Sequence, residues 1–464
     1  MNAIGTPMHP PAMMDLAEAA AALGGRVEGA NASFCGVTTD SRAITGGDLF
    51  VALKGERFDG HRFLEEAARR GAVAALTSRR VESAIPIAQL VVADTRLALG
   101  QLAAHWRARF AIPLVALTGS NGKTTVKEML GAILAAHAGS RAAVLATAGN
   151  LNNDIGMPLT LLALRAEHRF AVIEMGMNHS GEIDYLTRIA QPTVALVNNA
   201  QRAHVGMLGS LEAIARAKGE IYAGLGEHGH AVVNADDAFA PYWTGLNAGR
   251  PVVTFGFADD AHVRARPVNA DWAFHTPAGG FVVHLRVAGE HNVRNALAAC
   301  AAAHALAIPT AAMQSALAAF AGVPGRLQRR AGPHGSTVID DTYNANPESM
   351  KAAIKVLAAE PGRRVFVMGD MGELGAGSPA MHAEVGEFAR RQGIESLLAL
   401  GEESRNAAHA FGAGARHFLE LPPLIEAARE EAEGGATLLV KGSRFMQMER
   451  VADALAREGR ADAV

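Results

Sequence analysis

The chain has 464 residues, and its 43 Lys and Arg against 46 Asp and Glu give a formal net charge of −3. The length predicts about three domains, and the absence of a basic run argues against nucleic acid as a partner. Two distant cysteines, no signal-peptide pattern and no apolar stretch long enough to cross a bilayer predict a cytoplasmic protein without disulfides or membrane insertion.

Residues 1–110 are predicted to form a small N-terminal α/β domain. The apolar patterning indicates helices at 13–23, 61–70 and 95–109, and strands at 34–38, 49–53, 73–77 and 89–93. The loop after the first strand contains Asp40, Ser41 and Arg42, which offer donors and acceptors to a polar ligand. A plain surface turn is the alternative interpretation of these three residues.

The strongest signal in the chain is a turn between a buried apolar strand at 114–117 and an amphipathic helix. The turn, 118–122, contains Gly119, Ser120, Asn121 and Gly122, and Lys123, Thr124 and Thr125 follow it at the start of the helical pattern. Such a turn binds phosphate, because backbone N–H groups and the helix dipole attract the anion and glycines permit its close approach. Lys123 can reach the terminal phosphates, and the Thr124 hydroxyl can ligate Mg²⁺. Only two residues separate the first glycine, Gly119, from Gly122-Lys123, whereas the common P-loop has four at this place. An ordinary strand-to-helix turn is the alternative interpretation.

Residues 111–326 are predicted to form a central domain with a mostly parallel sheet. Further strands are predicted at 170–173, 194–197, 231–233 and 252–255, with an antiparallel addition within 256–288 and a helix at 293–306. Glu174 follows the first of these strands, at the edge where open parallel sheets bind ligands. Its carboxylate is therefore expected to hold Mg²⁺ beside the phosphates, with a solvated surface glutamate as the alternative.

Residues 324–326 read as a hinge before a third domain, 327–464. Strands are predicted at 338–339, 365–368, 397–400 and 438–440, alternating with helices near 347–359, 379–391, 422–432 and 445–457. This alternation predicts a doubly wound, Rossmann-like domain.

The shortened phosphate loop resembles that of the Mur ligase and folylpolyglutamate synthase superfamily, whose members join an amine to a carboxylate with ATP. Other segments are similar to Mur ligases in particular: 39–42, 49–55, 150–156, 174–179, 340–347, 369–375 and 441–444. The resemblance implies an α/β protein of three domains, in which a P-loop mononucleotide-binding parallel sheet lies between the N-terminal domain and the Rossmann-like domain. It also implies ATP-dependent addition of D-alanyl-D-alanine to UDP-N-acetylmuramoyl-tripeptide through an acyl phosphate, in peptidoglycan precursor synthesis, by a monomer.

The resemblance also assigns roles to residues. For ATP it implies the loop residues 119–125 together with Asn292, Asn295, Arg326 and Asp341. For two Mg²⁺ sites it implies Thr124, Glu174, His204 and a carbamylated Lys218, and the catalytic residues would be Lys123, Glu174, His204 and Lys218. For the UDP-linked peptide and the dipeptide it implies Asp40, Ser41, Arg42, Asn150, Asn152, Asn153, Asn178, His179, Tyr343, Asn344, Asn346, Lys441 and Arg444. Without the resemblance, His204 reads as a polar loop residue, Lys218 as a solvated lysine and Asn292 as a helix cap.

Three alternatives to this function are open. The ligase that adds the third amino acid carries an Asp-Asn-Pro-Arg motif, which this sequence lacks. Folylpolyglutamate synthases typically begin near the phosphate loop, without a domain in front of it. A nucleotide-dependent switch or binding module without ligase activity is the third alternative.

Overall fold

The computed structural model describes residues 11–56, 58–203 and 205–461, which form three α/β domains, each with its own large sheet. The boundaries at 110/111 and 326/327 stay predictions. Within the described ranges, none of the helices combines the length and the apolar character that crossing a bilayer requires.

The N-terminal domain is a small α/β unit. Its elements are β1 (Met14–Asp15), α1 (Leu16–Leu23), β2 (Arg26–Glu28), β3 (Ser33–Phe34), β4 (Gly36–Thr38), β5 (Asp48–Val51), α2 (Leu64–Arg69), β6 (Ala74–Thr77), β7 (Ala88–Val91) and α3 (Thr95–Arg107). The sheet order is β2-β7-β6-β5-β4, parallel except for β2, while β1 pairs with β3. The strand predicted at 34–38 is interrupted at Cys35, whose N–H donates to the Gly47 carbonyl at 2.9 Å.

The central domain holds the phosphate loop in the middle of a nine-stranded sheet. Its strands are β8 (Leu114–Thr118), β9 (Val144–Ala146), β10 (Phe170–Glu174), β11 (Val194–Val197), β12 (His230–Asn234), β13 (Val252–Gly256), β14 (Val263–Val268), β15 (Asp271–Thr276) and β16 (Gly279–Val283). Its helices are α4 (Lys123–Ala138), α5 (Gly156–Leu162), α6 (Glu182–Ala190), α7 (Val205–Leu208), α8 (Leu211–Gly219), α9 (Ala240–Leu246), α10 (Glu290–Ala305) and α11 (Thr310–Ala319). The sheet order is β16-β15-β14-β13-β12-β11-β8-β10-β9, and only the β14–β15 and β15–β16 pairs are antiparallel. The predicted antiparallel addition is thereby confirmed.

Strand β8 is buried on both faces. Leu114 and Ala116 belong to one hydrophobic cluster, and Val115 and Leu117 belong to the cluster on the other side of the sheet. A continuous apolar run, rather than an alternating one, is what a parallel strand covered on both faces requires. Because β10 and β11 flank β8 in parallel, their carboxyl ends meet beside the phosphate loop.

The C-terminal domain is the predicted doubly wound domain. Its elements are β17 (Gln328–Ala331), β18 (Thr337–Asp341), α12 (Pro347–Ala358), β19 (Arg364–Gly369), α13 (Ser378–Arg391), β20 (Ser396–Leu400), α14 (Arg405–Phe411), β21 (Ala415–Phe418), α15 (Leu421–Ala432), β22 (Thr437–Lys441) and α16 (Glu449–Ala461). The sheet order is β17-β18-β22-β19-β20-β21, with β17 antiparallel and the rest parallel. The helix predicted near 445–457 begins only at Glu449, because a 3₁₀ turn occupies Arg444–Met446.

Arg202 joins the central domain to the C-terminal domain. Its Nε donates to Glu348 Oε1 at 2.5 Å, and its Nη1 and Nη2 donate to the two carboxylate oxygens of Glu384 at 2.9 and 3.1 Å. The carboxylate of Glu384, and then that of Glu348, raise the pKa of Arg202. In turn, Arg202 and then Lys351 lower the pKa of Glu384 to about 2. The contact is therefore fully charged near neutral pH.

Arg202→Gln should weaken this contact between domains. A paired, half-buried guanidinium stabilises such a contact by about 1 kcal/mol. Its loss corresponds to a several-fold lower ratio of molecules in which the two domains are in contact to molecules in which they are apart. We expect a larger radius of gyration by small-angle X-ray scattering at low salt. Arg188→Gln is the matched control, because Arg188 pairs with Asp184 on its own helix. An unchanged radius for Arg202→Gln would show that this contact does not hold the domains together.

Candidate active site

A cleft of about 1690 Å³ lies where residues of all three domains meet. The predicted site residues that line it are Ser120, Asn121, Gly122, Lys123, Thr124, Thr125, Asn150, Asn152, Asn153, Glu174, Asn178, Asn292, Asn295, Arg326, Asp341, Tyr343, Asn344, Asn346, Lys441 and Arg444. The N-terminal domain adds Asp94, Arg96 and Leu97. The cleft therefore brings together most of the residues that the sequence places at separate points along the chain.

The phosphate loop has the backbone that an anion site requires. Gly122 has φ +79°, and a Cβ at this position would lie 2.2 Å from Asn295 Oδ1, so a larger residue does not fit. Lys123 is the first residue of α4, and its Nζ donates to the Gly119 carbonyl at 2.7 Å. Burial lowers the pKa of Lys123, and the carboxylate of Glu174 opposes this shift.

Glu174 is the last residue of β10 and is 2% exposed, so its interpretation as a solvated glutamate is wrong. Its Oε2 accepts a hydrogen bond from the Thr124 hydroxyl at 2.9 Å, and its Oε1 accepts one from Asn152 Nδ2 at 2.8 Å. Arg326 donates from Nη2 to Thr124 Oγ1 at 2.9 Å. A loop threonine, a strand-end carboxylate and the hinge arginine thus form one connected cluster.

Amide side chains connect the phosphate loop directly to the C-terminal domain. Asn121 donates from Nδ2 to Asn346 Oδ1 at 3.2 Å, and Asn346 Nδ2 donates to Asn121 Oδ1 at 2.7 Å. Asn121 Nδ2 also donates to Gln201 Oε1 at 2.6 Å, and the Asn121 N–H donates to Asn199 Oδ1 at 2.9 Å. The side chain of Asn121 is therefore engaged with protein groups on both of its polar atoms.

Asn292 and Asn295 lie on one face of α10, as the spacing predicts. The helix begins at Glu290 with Gly289 as its N-cap, so the interpretation of Asn292 as a helix cap is wrong. Asn295 donates to Asn292 Oδ1 at 3.3 Å and accepts from Asn198 Nδ2 at 3.0 Å. Asn198 Nδ2 also donates to the Asn121 carbonyl at 2.9 Å, so this chain of amides reaches the phosphate loop.

Lys218 lies in α8 and is 1% exposed, so its interpretation as a solvated lysine is wrong. It forms no ion pair with any residue of 11–56, 58–203 or 205–461. Burial lowers its pKa well below the ordinary value, and the positive charge of Lys123 lowers it further. An unpaired, buried amine beside the phosphate loop is electrostatically unfavourable as an ammonium.

Several predicted residues lie away from the cleft lining. Asp40 caps a 3₁₀ turn at Ser41–Ala43, and Arg42, with 79% of its side chain exposed, pairs with Asp40 at 2.8 Å. His179 is exposed and lies 3.2 Å from Glu182. Gly119 belongs to the phosphate loop but does not line the cleft, and Lys218 does not line it either. His204 lies outside the described residues, so its role stays a prediction.

Two cleft residues that the sequence reading missed follow β11. Asn199 and Gln201 lie two and four residues after its last residue, Val197, and both contact the phosphate loop. The rule that ligands bind at the carboxyl ends of parallel strands, which singled out Glu174, would also have found them.

Comparisons with known proteins show the family to which this chain belongs. Three family models match: "Mur ligase family, catalytic domain" over residues 33–107, "Mur ligase middle domain" over 117–303 and "Mur ligase, glutamate ligase domain" over 325–444. The UDP-N-acetylmuramoyl-tripeptide–D-alanyl-D-alanine ligase of Escherichia coli K12 is 44% identical over 447 residues, covering 94% of this chain and 97% of that protein. The chain belongs to the Mur ligase family.

Solved structures resemble this Mur ligase over more than nine-tenths of its length. MurF from Acinetobacter baumannii superposes with a TM-score of 0.89 at 39% identity, covering 97% of this chain and all of that one. MurF ligase from Thermotoga maritima in complex with ADP gives a TM-score of 0.79 at 28% identity, covering 92% and 98%. The three-domain α/β fold that the sequence predicted is confirmed.

Proposed function

We propose that this Mur ligase uses ATP to add D-alanyl-D-alanine to UDP-N-acetylmuramoyl-tripeptide, as a cytoplasmic step of peptidoglycan precursor synthesis. The observation that carries the proposal is the cluster of Lys123, Thr124, Glu174 and Arg326 at the junction of three domains. The name of the E. coli relative and the ADP in the T. maritima structure support the same substrates. Because one chain supplies the whole cleft, we take the active form to be a monomer.

The reaction has two steps. A terminal carboxylate oxygen of the tripeptide attacks the γ-phosphorus of ATP, and the bond from that phosphorus to ADP breaks. The dipeptide amine then attacks the acyl carbon, a C–N bond forms, and phosphate leaves with the former carboxylate oxygen while the proton of the amine passes to solvent. Lys123 and Arg326 would stabilise the charge that develops on the transferring phosphoryl group. Closure of the domains would exclude the water that hydrolyses an acyl phosphate.

We assign the nucleotide to residues 119–125 with Asn292, Asn295, Arg326 and Asp341. The orientation of Arg326 supports this assignment. Its guanidinium stacks on Tyr343, 4.2 Å from the ring centroid, and this contact holds the guanidinium in the cleft. The residues that we assign to the peptide substrates are Asn150, Asn152, Asn153, Asn178, His179, Tyr343, Asn344, Asn346, Lys441 and Arg444. Asn121 and Asn346 would act largely by connecting the domains, since their amides bind each other.

The residues of the cluster fit Mg²⁺. This ion prefers oxygen ligands, and the Thr124 hydroxyl lies 2.9 Å from a buried Glu174 carboxylate. Thr124 and Glu174 would hold one Mg²⁺, and His204 with Lys218 would complete a second site. Bound Mg²⁺ would neutralise negative charge on the phosphates.

Lys218 would serve this second site as a carbamate. The neutral amine adds to CO₂, forming an N–C bond and releasing one proton, and the product carries anionic oxygens in place of an ammonium. The burial of Lys218, its lack of an ion pair among the described residues and its lowered pKa support this assignment.

Asp40, Ser41 and Arg42 would bind the UDP end of the substrate. Their place outside the cleft lining and the exposure of the Arg42 side chain suit a group that extends from the reacting carboxylate. Arg42→Ala should raise the KM for the UDP substrate about tenfold and leave the KM for ATP unchanged, because a charged hydrogen bond is lost from one substrate only. Steady-state kinetics would measure both constants, with Arg26→Ala, an exposed arginine of the same domain, as control. Equal effects on the two substrates would refute the assignment.

The proposed function is tested by ADP release in a coupled assay with all substrates and with each omitted in turn. We expect release that requires both the UDP-linked tripeptide and D-alanyl-D-alanine, and a product heavier by one dipeptide less water. ADP release that is independent of both would instead indicate a nucleotide switch. Acceptance of a free amino acid in place of the dipeptide would indicate a different ligase of the family.

A further inference from the structure

Lys127 is a buried charge that the proposed reaction does not use. It lies one helical turn after Lys123 in α4 and is 1% exposed. Lysine is rarely buried so completely, and a cation in the first turns of a helix opposes the helix dipole. An apolar residue at this position would avoid both unfavourable terms, so the ammonium calls for an explanation from its contacts.

The ammonium of Lys127 contacts the chain just beyond β9, the strand that pairs with the strand of Glu174. Its Nζ donates to the Thr147 carbonyl at 2.6 Å and lies 3.1 Å from Glu128, whose side chain is 36% exposed. Thr147 is the first residue after β9, and its hydroxyl accepts a hydrogen bond from the Glu174 N–H at 2.9 Å. The Thr147 N–H donates to the Val172 carbonyl at 3.1 Å. All three polar groups of Thr147 are therefore bonded.

The loop that starts at Thr147 also contacts the side chain of Glu174. Asn152 donates from Nδ2 to Glu174 Oε1 at 2.8 Å, and its carbonyl accepts from the Gly176 N–H at 2.8 Å. A Cβ at Gly176 would lie 2.9 Å from Asn152 Oδ1, so the loop is packed closely against the strand end. Asn152 is thus held against the end of β10, in a loop whose first residue, Thr147, accepts a hydrogen bond from Lys127.

We propose that Lys127 is a positioning residue that, through Thr147 and Asn152, holds the Glu174 carboxylate in the orientation that binds a divalent cation. The inference rests on the proposed function, in which Glu174 is a ligand of Mg²⁺. Without the ammonium, the Thr147 carbonyl loses its donor inside the protein, and its peptide group turns toward another partner. The loop shifts with it, and Glu174 Oε1 loses the amide that orients it. Loss of such a supporting contact lowers metal affinity about 10–100-fold.

The test is Mn²⁺ binding to the full-length enzyme with ADP, followed by the electron paramagnetic resonance signal of free Mn²⁺. Lys127→Met keeps most of the side-chain volume and removes the donor. We expect its Mn²⁺ Kd to rise at least about tenfold. Its melting temperature should stay near that of the wild type, because an apolar residue replaces a buried charge. Glu128→Gln is the matched control, since it removes the charge of the other, partly exposed partner of the same ammonium and should leave the Kd unchanged.

Two further variants make every outcome decisive. Thr147→Val removes the hydroxyl that accepts from the Glu174 N–H, and it should also raise the Kd; if Lys127→Met does not fold, a wild-type Kd for Thr147→Val overturns the inference. Glu174→Gln distinguishes an error in the metal assignment of the proposed function from an error in the role of Lys127. If Glu174→Gln binds Mn²⁺ as the wild type does, the metal assignment of the proposed function is wrong. If Glu174→Gln is weakened while folded Lys127→Met is not, only the role of Lys127 is wrong.

Discussion

Lys123→Ala should lower kcat by about 10²–10³-fold or more and leave the fold intact. Its partly buried ammonium lies over the phosphate loop, 2.7 Å from the Gly119 carbonyl, in a cleft where a charge acts more strongly than in water. Alanine is a good helix former, so α4 should be retained. The measurement is kcat in the coupled ADP-release assay, together with the melting temperature of each protein.

Lys355→Ala is the matched control for Lys123→Ala. Lys355 is an exposed lysine on α12, and its loss should leave kcat unchanged. Near-normal turnover of Lys123→Ala, with a wild-type melting temperature, would contradict the assignment of the loop to the transferring phosphoryl group.

Lys218→Arg should inactivate the enzyme as severely as Lys218→Ala, at least about 10²-fold in kcat. Arginine stays cationic and cannot take up CO₂, whereas a lysine that merely formed an ion pair would tolerate this change. Formate or acetate should partly restore Lys218→Ala, because a small carboxylate can occupy the place of the carbamate. Arg216→Ala, an exposed position on the same helix, should remain fully active.

A crystal structure of the wild type grown with bicarbonate gives the direct measurement for Lys218. We expect electron density for a carbamate on its Nζ. An unmodified ammonium in that density, together with an active Lys218→Arg enzyme, would show that the residue is not carbamylated.

Short continuous segments carry the part of the site that sequence predicts well. Strand β11 is predicted at 194–197 and is found there, and residues 119–122 form the predicted turn between β8 and α4, with Lys123, Thr124 and Thr125 in the first turn of the helix. In both cases the apolar run and the glycine or polar residues that end it are adjacent in sequence. Local chemistry therefore determines local structure.

Contacts between distant segments could not be predicted in this way. Asn121 and Asn346 are 225 residues apart, and Arg202 and Glu384 are 182 apart, and each side chain alone reads as an ordinary turn or surface residue. The burial of Lys218 was likewise hidden: Ile214, Ala215 and Ala217 on the same helix are buried with it, but a lysine does not by itself indicate a buried position. Strand β17 was missed since its sequence, Gln-Arg-Arg-Ala, is mostly exposed and has no apolar alternation.

The transfer of oxygen from the tripeptide to phosphate is the most direct measurement of an acyl-phosphate intermediate. The UDP-linked tripeptide would be labelled with ¹⁸O in its terminal carboxylate and incubated with ATP, D-alanyl-D-alanine and the enzyme. Mass spectrometry would then measure the released phosphate and the peptide product. An acyl phosphate predicts one ¹⁸O atom in the phosphate for each amide bond formed. Unlabelled phosphate, or ADP released without an amide product, would contradict an ATP-dependent ligase at this cleft.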